Sequence, residues 1–112
     1  MIASPSTFTV RPQGDPFQAI ADPSRRHILN LLATYDSTIN VLAENFKMSR
    51  PAVSKHIKIL HEAGLIAIND VGRERHCSLK REGFKELQGW FGYFDKFWNN
   101  KLDALGNFLE EK

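Results

Sequence analysis

Ser49-Arg50-Pro51-Ala52-Val53-Ser54-Lys55-His56-Ile57-Lys58-Ile59-Leu60-His61-Glu62-Ala63-Gly64-Leu65-Ile66 carries the signals of one helix from start to stop. Ser49 is a residue type that caps free N–H groups, Pro51 is tolerated in a first helical turn, and Gly64 supplies the left-handed residue past the end. At 100° per residue, Val53, Ile57 and Leu60 fall within roughly 60° of one another and must face a core. Pro51, Ser54, Lys55 and Lys58 gather on the opposite side. Lysines for phosphates or guanine edges, with a short hydroxyl that allows close approach, suit a DNA groove. Arg50 lies at the helix start, where the dipole also favours phosphate. His56 falls on the boundary between the faces, as a donor to base or phosphate or as a packed edge histidine.

Upstream, Asn40 is placed to cap a shorter helix whose buried side is Val41, Leu42 and Phe46, with a turn at Lys47-Met48. Two helices joined by so short a turn form a helix-turn-helix, over about residues 40–63. Before it, Asp22-Pro23 starts a helix with an apolar stripe of Ile28, Leu29, Leu31 and Leu32 that ends near Tyr35, and Asp36-Ser37-Thr38 reads as a turn. Phe17, Ile20 and Ala21 suit a short amphipathic helix. Residues 1–14 hold Pro5, Pro12 and Gly14 with no helical period and read as a flexible arm ahead of a single domain over 15–112.

Downstream of Gly64 the period changes from 3.6 to 2. Residues 65–69 read as a strand, Asp70-Val71-Gly72 as a turn and residues 75–79 as a returning strand. A hairpin after a helix-turn-helix, here about 65–79, is a wing. Arg73 and Arg75 near its tip are placed for a minor groove, whose negative potential attracts arginine; the alternative for Arg75 is an ion pair with Glu74 or Glu62. Over about 82–110, Phe84, Leu87, Phe91, Phe94, Trp98, Leu102, Leu105 and Leu109 recur at steps of 3 and 4 in one helical seam, widened by Trp90, Tyr93 and Phe97. Such a helix is roughly 40 Å long, more than so small a domain covers by itself, and a second copy is the simplest cover. Gly89 and Gly92 imply a close helix contact or a break, and contact is preferred. The fold class is therefore mostly α with a two-stranded β wing: a winged helix-turn-helix with a long C-terminal dimerisation helix.

Composition agrees with a globular domain. Of 112 residues, 42% are hydrophobic and 25% charged, and the single cysteine, Cys77, has no partner for an intrachain disulfide. No apolar run approaches the roughly 20 residues of a membrane span, and the N-terminus lacks the pattern of a signal peptide. The expectation is a cytoplasmic protein without membrane contact. The net charge of +2 hides an asymmetry: residues 47–81 hold 8 Lys and Arg against 3 Asp and Glu. A local cationic excess on a near-neutral chain is what phosphate binding needs, because counterion release drives much of that affinity.

The stretches Ala21-Asp22-Pro23-Ser24-Arg25-Arg26-His27-Ile28-Leu29, Met48 to Ile66, and Gly72-Arg73-Glu74-Arg75-His76 resemble the ArsR/SmtB family of bacterial winged-helix repressors, and the resemblance runs over about residues 16–110. It implies a homodimer that buries its first and last helices against the partner, sets two recognition helices in successive major grooves of a palindromic operator, and represses transcription. It carries DNA contacts to Ser49, Arg50, Ser54, Lys55, His56 and Lys58, with Arg73 and Arg75 on the wing. Together with the seam, the resemblance implies a dimer interface of Phe17 and Ile20 from the first helix and Phe91, Phe94, Trp98, Leu102 and Leu105 from the last. Metal-sensing members hold thiolates on the first helix of the motif or Asp, His and Glu on the last. Residues 39–47 here lack Cys and His, residues 82–112 lack His, and His27, His56, His61 and His76 have no ligand spacing. The expectation is a metal-independent regulator with no cofactor, its inducer, small molecule or protein, left open. Cys77 reads as a small core residue, with a redox switch as the alternative.

Two other functions compete. A winged helix can serve as a protein-interaction module through the aromatic C-terminal helix, although the lysine-rich outward face argues against this. Catalysis is not expected: there is no nucleophile–base constellation, glycine-rich phosphate loop or paired carboxylate.

Overall fold

A computed structural model describes residues 14–110 of the chain, so the arm assigned to residues 1–14 lies, but for Gly14, outside the described residues. The elements run α1 (Pro16–Ala19), α2 (Pro23–Thr34), β1 (Ser37–Thr38), α3 (Ile39–Ala43), α4 (Arg50–Glu62), β2 (Ile66–Val71), β3 (Glu74–Leu79) and α5 (Arg81–Glu110). The fold is mostly helical with a β2–β3 wing, as the sequence implies.

Capping sets the helix starts. Asp22 Oδ2 accepts from the Arg25 amide at 3.1 Å and Pro23 follows in the first turn of α2. Ser49 Oγ accepts from the Ala52 amide at 3.3 Å to open α4. At the other end of α4, Gly64 takes φ +81°, its amide donates to the His61 carbonyl and the Leu65 amide to that of Leu60. This Schellman closure satisfies carbonyls that the helix end leaves free. Val53, Ile57 and Leu60 are fully buried between α2, α3 and the sheet, with Ile28, Leu32, Leu42, Leu65 and Ile66.

Four local expectations are corrected. Thr38, not Asn40, caps α3, its Oγ1 accepting from the Val41 amide at 3.1 Å. The earlier start gives the inward positions to Ile39 and Leu42; Val41 is 42% exposed, and Phe46 packs on the core from beyond the helix end. Ser37 and Thr38 are no turn but an antiparallel edge strand on β3, paired with Cys77 and His76, so the sheet order is β1-β3-β2. The hairpin turn is Gly72-Arg73, with β2 extending through Val71. Gly72 at φ +63° meets the need of a type II′ turn for glycine at its first central position. Finally, α1 stops at Ala19, short of Ala21, because the extended cap residue Asp22 and Pro23 already begin α2.

The C-terminal helix α5 is one unbroken helix of 30 residues, about 45 Å long. Its first turns lie on the core through Leu87; from Trp90 onward its apolar side chains are exposed. Gly89 and Gly92 do not break it, and an added Cβ at either would meet nothing within 4 Å among the described residues. The tight glycine is Gly83, where a Cβ would lie 2.7 Å from Leu65 Cδ2 and 2.9 Å from the Gly64 backbone.

Candidate nucleic-acid interface

The outward face of α4 projects Pro51, Lys55 and Lys58 into solvent, with Ser54 half-buried beside them. Val53, Ile57 and Leu60 hold this face by occupying the core on the other side. Between it and the wing lies a concavity of about 490 Å³, with Pro51, Ser54, Lys55 and Lys58 on one wall and Ile68 and Arg75 on the other. Helix α4 and the hairpin thus line one groove that holds Lys55, Lys58 and Arg75 with one carboxylate, Glu62. Arg73 stands exposed in the hairpin turn. Arg75 Nε donates to Asp70 Oδ1 at 3.2 Å, its register partner across the hairpin, rather than to Glu74 or Glu62. Both groups are exposed, and such a pair contributes little on its own.

Other members of the predicted set hold bonds within the protein. The Ser49 hydroxyl is the cap of α4, and Arg50 Nε donates to Asn40 Oδ1 at 2.5 Å, tying the start of α4 to α3. His56 is not brought to the outward face: its Nδ1 accepts from Arg25 Nη1 at 3.2 Å, on the flank toward α2. Sequence reasoning missed Arg25, whose only signal was its place three residues after the Asp22 cap. The Arg25 amide bond, followed by nearby positive charge, holds the Asp22 carboxyl below its ordinary pKa.

The residues assigned to the dimer interface share one surface. Phe17 on α1 meets Trp90 on α5 edge-on at 5.4 Å, and Trp90 meets Phe94 at 4.9 Å. Ile20 packs partly on the core, while Phe91, Phe94, Trp98, Leu102 and Leu105 are exposed along α5. Lys101 Nζ lies 5.5 Å from the Phe97 ring centroid, a cation–π geometry.

The four histidines have separate environments. His27 lies edge-on to Phe46 at 5.2 Å, His56 bonds Arg25, His61 Nδ1 donates to the Ile66 carbonyl at 3.2 Å, and His76 Nε2 lies 3.3 Å from Glu74 Oε1. Among the described residues no three His, Cys, Asp or Glu gather as a metal site would require. Cys77 is fully buried in β3, and burial pushes its thiol pKa up. No helix of the described residues is long and apolar enough to cross a membrane.

Residues 22–67 match the family model described as bacterial regulatory protein, arsR family. The chain is 36% identical over 86 residues to the transcriptional repressor SdpR of Bacillus subtilis, covering 77% of this chain and 96% of that protein. It is 32% identical over 104 residues to an HTH-type transcriptional regulator of Mycobacterium tuberculosis, covering 93% of this chain and 94% of the other. Among solved structures, an ArsR family transcriptional regulator superposes with a TM-score of 0.70 at 36% identity, covering 75% of this chain and 92% of that one.

Proposed function

Because the chain belongs to the ArsR family of bacterial regulatory proteins, and is a DNA-binding transcriptional regulator, we propose that it is a repressor acting as a homodimer on a palindromic operator. The observation that carries this is the outward face of α4, where Pro51, Ser54, Lys55 and Lys58 share one groove with the wing. Lys55 and Lys58 meet phosphates or guanine edges, Ser54 reads a base edge at close approach, and Arg73 enters the flanking minor groove. Ser49 and Arg50 place the start of α4 against the backbone, where helix dipole and guanidinium both favour phosphate. Arg75 exchanges Asp70 for DNA or stays as the brace of the hairpin.

The second copy covers the seam. Exposed Phe91, Phe94, Trp98, Leu102 and Leu105, continuous with Phe17 on α1, form an apolar strip that a two-fold axis makes self-complementary. Two α4 helices held by that seam read half-sites about one helical turn apart. Metal independence is supported by the engaged histidines and the buried, protonated thiol.

The test is a fluorescence-anisotropy titration against DNA from upstream of the protein's own gene, with a scrambled competitor, at two salt concentrations, with and without chelator. Saturable binding that survives the competitor and ignores the chelator supports the proposal. Loss of binding to both DNAs alike at the higher salt reduces the α4 face to a nonspecific cationic surface.

A further inference from the structure

One guanidinium gathers three helices. Arg25 Nε donates to the Ala19 carbonyl at 2.7 Å and Nη2 to that of Gln18 at 3.3 Å, at the end of α1. Its Nη1 donates to His56 Nδ1 of α4 at 3.2 Å, while its own amide is held by Asp22 at the start of α2. The neighbouring Arg26 donates from Nη1 to the Ile20 carbonyl at 2.7 Å. A helix of four residues does not persist alone. Its Gln18 carbonyl takes the Ala21 amide at 3.1 Å, and the arginine pair adds donors to the carbonyls of Gln18, Ala19 and Ile20 and places positive charge where the helix dipole is negative. A guanidinium donates and never accepts, so in this contact His56 Nδ1 is the accepting nitrogen.

The ends of this clamp differ in purpose. α1 carries Phe17, which lies against Trp90 of the seam, and His56 lies between Ser54 and Lys58 in the sequence of α4. We propose that Arg25 is a positioning residue for DNA recognition, transmitting the seating of α1 in the dimer seam to the rotation of α4 about its axis. This rests on the reading that α4 meets DNA and α1 meets the partner copy. The planar fork sets the angle between the α1 carbonyls and the imidazole; a lysine keeps the charge but has one point of attachment and cannot hold both.

The experiment uses the full chain at concentrations well above its dimer dissociation constant, titrated on DNA from upstream of its own gene and on a scrambled duplex. Arg25→Lys and His56→Phe each weaken operator binding by about 5- to 10-fold, the scale of one lost charged hydrogen bond. The double variant is no weaker than the poorer single one, because both remove the same link. The salt slope keeps its wild-type value, since Arg25 touches no phosphate. Nitrogen-15 NMR of the wild-type histidine rings, without DNA, finds Nδ1 of His56 unprotonated; a proton there overturns the proposal even if a variant does not fold. Losses that multiply, a salt slope lower by about one, or a lower melting temperature with unchanged affinity also overturn it. Wild-type protein that does not prefer the operator defeats the DNA-binding reading itself, whereas wild-type preference with unaltered variants defeats only the role of Arg25.

Discussion

Leu87 and Leu105 lie on the same side of α5, five turns apart, yet Leu87 is 6% exposed and Leu105 54%. The sequence treats both as members of one apolar seam. The first meets the winged-helix body; the second has nothing opposite it among the described residues. Periodicity therefore says that a face will be covered, and only the length of the helix against the size of the body says by what. The body closes its own core, while the apolar side chains of the distal half of α5 stay exposed.

The largest test of that contrast sets a core leucine against a seam residue. Leu60→Ala removes a fully buried side chain and lowers stability by about 2–5 kcal/mol in urea unfolding, at every protein concentration. Trp98→Ala leaves the body intact and shows its effect as a more concentration-dependent melting temperature and a dimer that dissociates on dilution. Equal, concentration-independent losses from both would end the distinction between body and seam.

Glycines on the same helix sharpen it. Gly83→Ala drives a methyl into Leu65 and the Gly64 backbone and destabilises by about 1–3 kcal/mol. Gly89→Ala meets open space and stabilises by up to about 1 kcal/mol through helix propensity. A destabilised Gly89→Ala dimer would instead place the partner helix against that face.

On the DNA side, Ser54→Ala costs on the order of 1 kcal/mol of operator affinity if one base hydrogen bond is lost, and changes the ranking of operator variants. Lys58→Ala weakens binding to all sequences and lowers the salt slope by about one. An identical operator ranking for the Ser54 variant, or an unchanged slope for Lys58, removes that contact from the interface.

The smallest effect concerns the cap of α2. The folded-state pKa of Asp22 is depressed, so its contribution is fully present at neutral pH and is lost as pH falls below the ordinary aspartate range. Asp22→Asn keeps a capping side chain, changes neutral stability by only a few tenths of a kcal/mol, and flattens this part of the acid limb measured by thermal melts.

What was legible in the sequence is what local chemistry decides. Ser49 and Gly64 bound α4 within a residue, and the alternation after Gly64 marks the hairpin. The start of α3 was not legible because Ser37, Thr38 and Asn40 are all capping types, and the choice between them is made by β1 pairing with β3, some forty residues away. Arg25 and His56 are 31 positions apart and nothing in either residue announces the other. The tight contact of Gly83 leaves no mark in the local sequence, while Gly89 and Gly92, conspicuous on paper, have open space around them.

The Gly64–Gly83 contact has a consequence for the nucleic acid. The Gly83 amide donates to the Gly64 carbonyl at 3.0 Å and the Lys80 amide to that of Leu65 at 2.8 Å, with no room for a methyl between the two backbones. In a dimer built on the α5 seam, the helix that reads DNA is thereby fastened to the helix that sets the separation between copies, with no compliant linker. An operator whose spacing is slightly wrong must then be accommodated by its own bending and twisting. Smooth bends of 40–90° cost on the order of 1–6 kcal/mol and depend on the steps being bent. Base pairs in the middle of the site, touched by no side chain, would then rank operators by their flexibility.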